Sequence, residues 1–139
     1  KAVTGGLPCI AECGGFMYLT EAIGDFPMAG ALKGGCFDTG KLTRFGYVTL
    51  TAQRDNLLCR AGEQIPAHEF HHWDAEHPGE DFLAEKLSGR SWPCAHASKT
   101  LYAGFPHFHF YANPSFAVRF LDACRKESCH AERPQAHGD

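Results

Sequence analysis

The sequence predicts an α/β domain, and three of its features carry that prediction. A short apolar run, residues 7–11, leads to Cys13, which Gly14, Gly15 and a helix-like segment follow at once. Aromatic and β-branched runs further along indicate several strands. A polar Asn-Pro-Ser sequence then caps a last helical segment. A strand-to-helix turn, several strands and flanking helices are together typical of α/β architecture.

The predicted elements follow from local patterns. In the first helix Phe16, Leu19 and Ile23 share one face, and the Gly-Asp-Phe-Pro run after Ile23 ends it. Gly-Gly and Asp-Thr-Gly turns precede the first aromatic strand. We predict strands over 7–11, 45–51, 67–73, 92–97 and 100–111, and helices over 15–23, 81–87 and 116–126. Residues 1–130 form the expected domain, and the polar residues 131–139 are expected to be a disordered tail.

Composition narrows the classes of function. With 13 basic and 16 acidic residues in 139, the formal net charge is −3, so charge favours neither a nucleic-acid nor a membrane partner. Seven cysteines at scattered spacings, without a C-x-x-C pair, favour a reducing cytoplasm over a disulfide framework or a zinc site. We therefore expect a cytoplasmic protein with no structural metal.

Cys13 occupies the position of a nucleophile in a sharp strand-to-helix turn. We expect the two following glycines to be required by the tightness of the turn. The start of the helix should favour a thiolate, and the Gly14 N–H is a natural oxyanion donor. The alternative is a buried structural cysteine before a Gly-Gly turn, but the whole strand–Cys–Gly–Gly–helix context favours the nucleophile.

A cysteine nucleophile needs a base, and histidine is the usual one. His107 and His109 lie at the end of a predicted strand, where alternate residues share a face. One of them could act as the base while the other orients it. The alternative is that both histidines serve packing.

A second histidine cluster matches the metalloprotease signature H-E-x-x-H through His68, Glu69 and His72. That motif binds zinc only on a helix, where positions i and i+4 share a face. Pro66 and the aromatic neighbours favour a strand instead, and no third ligand stands at an obvious spacing. A zinc metallohydrolase is therefore the second candidate enzyme class.

Three separated blocks of the chain resemble the glutamine amidotransferase domain of the cobyrinic acid a,c-diamide synthase family. The blocks are Ala-Glu-Cys-Gly-Gly-Phe-Met-Tyr-Leu at 11–19, His-Glu-Phe-His at 68–71 and Phe-Pro-His-Phe-His-Phe at 105–110 followed by Asn-Pro. The segment Phe-Gly-Tyr at 45–47 also matches. The first block is the specific one, and the order and rough spacing agree from about Leu7 to Phe120.

The resemblance implies the C-terminal portion of a class I glutamine amidotransferase-like domain, with a flavodoxin-like three-layer fold. It makes Cys13 the nucleophile toward glutamine, His107 the base and Gly14 half of the oxyanion hole, with Gly15 in support. Ammonia would pass to an N-terminal synthetase domain, which uses ATP and magnesium to amidate the a and c carboxylates of a cobyrinic acid-type corrinoid. These steps belong to cobalamin biosynthesis.

The chain departs from the resembled pattern in informative places. Ordinary class I amidotransferases carry a glutamate two residues after the catalytic histidine; that position here is His109, which leaves Glu69 as a candidate orienter. Pro66 and Ala67 replace Arg-Gly, Val48 replaces an arginine and Pro106 replaces a leucine.

The resemblance also places about half of the amidotransferase domain, with the second oxyanion donor, before Lys1. The chain contains no G-x-x-x-x-G-K-[ST] phosphate-binding loop, so this stretch is expected to need no cofactor of its own. We therefore expect the isolated chain to be nearly inactive; the non-enzymatic alternative is an inert interaction fragment.

Overall fold

A computed structural model describes residues 1–131. Within this range twelve strands form three sheets, and two α-helices accompany them. This confirms the general prediction of a mixed α/β structure. Of the predicted tail, Ala131 is the last residue of a helix, and residues 132–139 lie outside the described residues. Within the described range no helix is both long and apolar enough to cross a membrane.

The smallest sheet carries the predicted nucleophile turn. Strand β1 (Cys9–Glu12) pairs in parallel with β11 (Leu101–Gly104), and β10 (His96–Ala97) pairs antiparallel with β11 on its other side. In this register Glu12 lies opposite Gly104, so both strands of the parallel pair end at the same edge of the sheet. Helix α1 (Gly14–Leu19) begins directly after this edge.

A five-stranded antiparallel sheet forms the largest layer. Its centre is the pairing of β5 (Arg44–Ala52) with β6 (Gln64–His71), both of which alternate buried and exposed residues toward one core. The other strands are β8 (Phe82–Glu85), β9 (Ser91–Cys94) and β12 (His107–Phe108), in the sheet order β12-β6-β5-β8-β9. The strand β12 brings His107 beside β6, in register with His68.

The third sheet packs beside helix α1. It has the order β3-β2-β4-β7, and its strands are β2 (Ala22–Ile23), β3 (Phe26–Pro27), β4 (Gly35–Asp38) and β7 (Trp73–Ala75). The chain closes with a 3-10 turn (Phe110–Ala112) and helix α2 (Pro114–Ala131).

Two hydrophobic clusters hold these layers together. The larger one lies between the five-stranded sheet and α2 and includes Leu50, Ile65, Phe82, Tyr102 and Phe116, each fully buried. The smaller one joins α1, β4 and the end of β11. Its buried members are Ala11, Phe16, Leu19, Cys36, Ala75, Ala103 and Phe105, and Cys13 packs against it from the edge.

Two predicted helices were wrong, and the strand predicted over 100–111 is divided into β11, β12 and the 3-10 turn. The helix predicted over 81–87 is strand β8, because Phe82 and Ala84 alternate into the core and pair with strands on both sides. The first helix stops at Leu19 rather than at Ile23. The Thr20 hydroxyl donates to the Met17 carbonyl at 2.7 Å, and the chain then turns into β2, so Ile23 packs from a strand.

Candidate active site

Cys13 occupies a strained backbone position at the turn between β1 and α1. Its φ is 48° and its ψ is −107°, and the other non-glycine residue with positive φ among residues 1–131 is Ala95. A cysteine in this region costs about 1–3 kcal/mol and persists only where the surrounding structure enforces it. Strain concentrated on one cysteine between a strand and a helix is the geometry of a nucleophile turn.

The two glycines after Cys13 are not required by lack of space. A Cβ added to Gly14 would meet nothing within 4 Å, and one added to Gly15 would make an ordinary contact with the Ala11 Cβ at 3.7 Å. The expectation that the tightness of the turn requires glycine at Gly14 and Gly15 was therefore wrong. The backbone conformation that L-residues avoid is adopted by Cys13 itself.

The electrostatics of Cys13 also differ from the expectation. Burial raises the pKa of its thiol above the ordinary cysteine value, and the negative charge of Glu12 raises this pKa further. A hydrogen bond from the Gly14 backbone N–H acts in the opposite direction but does not prevail. Helix α1 has only six residues, so its dipole is small, and the thiol at rest keeps its proton.

His107 lies at the same edge of the small sheet as Cys13. The Cys13 N–H donates to the Gly104 carbonyl at 2.8 Å, which fixes the turn against the end of β11. Three residues beyond Gly104 the chain reaches His107, whose side chain is 46% exposed. The ends of two neighbouring parallel strands thus place the backbone of Cys13 beside the segment that leads to His107.

Glu12 connects the two strand ends. Its Oε2 lies 3.2 Å from the His107 Nδ1, and its Oε1 accepts a hydrogen bond from the Phe108 backbone N–H at 2.9 Å. The role of this residue was not predicted from the sequence. A carboxylate that ends the otherwise apolar strand β1 was the available signal, because an acidic residue at a half-buried position usually has a partner.

The residues predicted to support His107 lie elsewhere. Glu69 is buried, and its Oε1 is 3.7 Å from the Nε2 of His71, a ring that stacks on Phe105. His109 is exposed and bonds through its backbone N–H to the Pro66 carbonyl. The carboxylate that contacts His107 is therefore Glu12 and not Glu69.

The H-E-x-x-H residues do not have the geometry that zinc requires. They lie on β6 and just after it, where His68 faces outward beside Tyr47 and Glu69 faces the core. Four residues along a strand span about 13 Å, much farther than two ligands of one metal ion. Residues 1–131 contain no group of three histidine, cysteine or acidic side chains placed to hold a metal.

Cys13 and His107 lie on an open surface. Two cavities of about 560 and 820 Å³ open elsewhere, the first beside α2 and the second beside Glu76 and His77, and neither is lined by Cys13 or His107. Glu12 and His107 are thus in contact at the end of β1, next to the turn that carries Cys13, and neither of these two cavities includes them.

Several curated proteins that resemble this chain share one name. A cobyrinate a,c-diamide synthase of Caldanaerobacter subterraneus subsp. tengcongensis is 37% identical over 134 residues, 89% of this chain and 29% of the relative. That of Clostridium acetobutylicum is 35% identical over 116 residues, 80% of this chain and 26% of the relative. That of a Synechococcus strain is 35% identical over 133 residues, 90% of this chain and 29% of the relative.

No model of a known protein family matches the chain. The chain spans between 26% and 29% of the length of these three relatives. Nevertheless, similarity at this level over four fifths or more of its own residues is consistent among separate organisms. The chain is therefore similar to cobyrinate a,c-diamide synthases over most of its own residues, and it matches somewhat more than a quarter of their length.

Proposed function

We propose that this chain forms the C-terminal part of a class I glutamine amidotransferase-like domain within a longer cobyrinate a,c-diamide synthase. The observation that carries the proposal is the strained Cys13 at the end of β1, held against the strand that leads to His107. A synthase that makes two amides needs a nitrogen donor, and glutamine is the donor that a Cys–His pair can open. The matching relatives support the corrinoid as the amide acceptor.

The reaction starts with a protonated thiol. Because burial raises the pKa of Cys13, the sulfur attacks as its proton leaves, and His107 takes this proton. The new S–C bond forms at the side-chain amide carbon of glutamine. When the tetrahedral intermediate collapses, the C–N bond breaks and His107 returns the proton, so that ammonia leaves and a glutamyl thioester remains on Cys13.

The thioester is resolved by water. His107 takes a proton from the attacking water as the water oxygen bonds to the thioester carbon; the C–S bond then breaks, and the Cys13 sulfur recovers the proton. The products of the whole cycle are one glutamate and one ammonia from one glutamine and one water. ATP and magnesium, which the family resemblance assigns to a synthetase domain, have no part in these steps.

The oxyanion of each intermediate needs hydrogen-bond donors. The Gly14 N–H follows the nucleophile directly and supplies one of them, with Gly15 next to it in the first turn of α1. The second donor belongs to the part of the domain that the resemblance places before this stretch. Losing one such donor costs roughly 100- to 1000-fold in rate, so this chain alone should hydrolyse glutamine slowly.

The test is covalent labelling with 6-diazo-5-oxo-norleucine, a glutamine analogue that alkylates amidotransferase cysteines. The longer synthase polypeptide and the 139-residue chain should be treated in parallel, and the labelled peptide identified by mass spectrometry. We expect selective modification of Cys13 in the longer polypeptide, and its loss in His107→Ala. Equal labelling of several cysteines, or labelling that His107→Ala leaves intact, would overturn the proposal.

A further inference from the structure

We infer that Glu12 is the positioning residue of this site, and that it holds the His107 ring in the tautomer that can accept the thiol proton. The inference rests on the proposed function for its consequence in catalysis. Its structural basis, a carboxylate with both oxygens engaged at one strand end, is independent of that function.

Both oxygens of Glu12 act on the segment that carries the base. One lies 3.2 Å from the His107 Nδ1, and the other accepts from the Phe108 N–H at 2.9 Å. The first contact sets the rotation of the ring, and the second fixes the backbone of β12 on which the ring stands. A single side chain thus constrains His107 at two points.

A carboxylate determines which ring nitrogen carries the proton. An ionised carboxylate only accepts hydrogen bonds, so a neutral His107 that pairs with Glu12 must carry its proton on Nδ1. The Nε2 is then unprotonated and free to receive a proton from the Cys13 thiol. In the reverse tautomer Nε2 already carries a proton, and the ring cannot act as a base there.

The position of Glu12 in the sequence couples the orienter to the nucleophile. Glu12 and Cys13 are consecutive, and β1 is fixed in register by the parallel pairing of Glu12 with Gly104. A displacement of the turn would therefore move the Cys13 thiol and the Glu12 carboxylate together. This device provides the contact for which ordinary class I amidotransferases use a glutamate two residues after the histidine, a position that His109 occupies here.

The charge of Glu12 fits a base-assisted attack. The same carboxylate raises the pKa of the Cys13 thiol, so a thiolate is not preformed beside it. Glu12 thereby leaves the proton on sulfur until the correctly oriented imidazole removes it. Glu69 does not offer this arrangement, since its carboxylate faces His71 in the core.

The decisive variant is Glu12→Gln, which keeps the size of the side chain. Its carbonyl oxygen can still accept from Phe108, while its amide donates to Nδ1 and so favours the opposite tautomer. The control is Glu85→Gln, which removes one negative charge from an exposed position of β8. Nitrogen-15 NMR of the imidazole at pH 8, where an ordinary imidazole is neutral, reads the tautomer directly in the 139-residue chain.

We expect His107 to carry its proton on Nδ1 in the unaltered chain and in Glu85→Gln, and on Nε2 in Glu12→Gln. In the longer polypeptide, Glu12→Gln should slow labelling of Cys13 by 6-diazo-5-oxo-norleucine about 100-fold, the usual contribution of a general base. An Nε2–H tautomer in the unaltered chain, or labelling at an unchanged rate in Glu12→Gln, would overturn the inference.

The two proposals fail in different ways. If the tautomer follows Glu12 but Cys13 of the unaltered longer polypeptide is never labelled selectively, the placement of the ring is supported and the glutaminase function is overturned. If Cys13 is labelled selectively and Glu12→Gln changes neither rate nor tautomer, the function is supported and the role of Glu12 is overturned.

Discussion

The backbone N–H of Cys13 donates to the carbonyl oxygen of Gly104 at 2.8 Å, and this bond joins the turn of the nucleophile to the strand that leads to His107. Gly104 is itself held from the other side, because the Ala95 side chain packs directly over its Cα. Ala95 stands where the chain leaves the large sheet after β9 and enters the small one at β10, in a conformation with φ of 60°. The two halves of the candidate site therefore depend on one close backbone contact.

Replacing Gly104 by alanine should damage both the fold and the site. The new Cβ would lie 2.7 Å from the Ala95 Cβ and 3.0 Å from its Cα, so β11 or the Ala95 segment must move. Overpacking of this kind costs about 1–3 kcal/mol in the free energy of unfolding, which urea denaturation measures. Gly14→Ala is the matched control, since a Cβ there has open space and should leave the stability unchanged or slightly higher. Equal stability of the two variants would contradict the prediction.

Stability should fall as the pH rises above about 9. Burial raises the pKa of Cys94 to about 12 and that of Cys59 to about 11, so the folded protein holds these protons after the unfolded chain has lost them. Each thiol then lowers the unfolding free energy by at most about 1.4 kcal/mol per pH unit between its unfolded and folded pKa values. The buried Tyr102 hydroxyl, whose pKa lies well above its usual value, adds to the loss above pH 10.

Urea unfolding at pH 7.5 and at pH 10, under reducing conditions, measures this loss. Cys94→Ala should lose less stability between the two pH values than the unaltered chain does, even though its stability at pH 7.5 is lower. A loss between pH 7.5 and pH 10 that is the same in both proteins would show that the Cys94 thiol does not titrate as its burial predicts.

Arg119 should anchor helix α2 through geometry and not through charge alone. Its guanidinium makes two hydrogen bonds to the Glu63 carboxylate, at 2.6 and 2.9 Å, and a third to the Leu58 carbonyl at 3.1 Å. Lysine cannot reproduce this fork, so Arg119→Lys should cost about 0.5–1 kcal/mol for this partly exposed pair. Arg125→Lys, at an exposed pair with Asp122, should change the melting temperature little. Equal shifts in the two variants would contradict the prediction.

The Arg119–Glu63 pair should contribute to the stability of the fold in a way that depends on acid pH. The hydrogen bonds from Arg119 lower the pKa of Glu63, so its contribution is present above its unfolded pKa and is lost as the pH falls through the folded value. Glu63→Gln should therefore be closer in stability to the unaltered chain at pH 3 than at pH 7. A difference that does not shrink on acidification would show that this contact does not depend on the carboxylate charge.

The histidine cluster of β6 should not retain zinc. The chain should bind less than one zinc per molecule after incubation with zinc chloride and gel filtration, as measured by metal analysis, because His68 and Glu69 face opposite sides of a strand. The double variant His68→Ala with His72→Ala should give the same value. One tightly held zinc that this variant removes would revive the metallohydrolase alternative.

Local patterns predicted well what depends on neighbours in sequence. Local periodicity or capping residues predicted four elements that the structure contains. These are the turn at Cys13, the strands around Phe45 and His68, and the final helix. The helix predicted at 81–87 was wrong, because a seven-residue segment has too weak a period to distinguish helix from strand. The pairing of β8 with strands on both sides decided it.

The sequence by itself determined the chemistry that is available: a cysteine before two glycines, histidines at strand ends, and motifs that resemble a single synthase family. Only the tertiary structure decided which carboxylate meets His107. Glu69 and Glu12 are both glutamates near candidate residues in the sequence, but β6 turns Glu69 toward His71 while the parallel register of β1 and β11 carries Glu12 to His107. Contacts between strands so far apart in the chain depend on register, and no local pattern encodes register across such a separation.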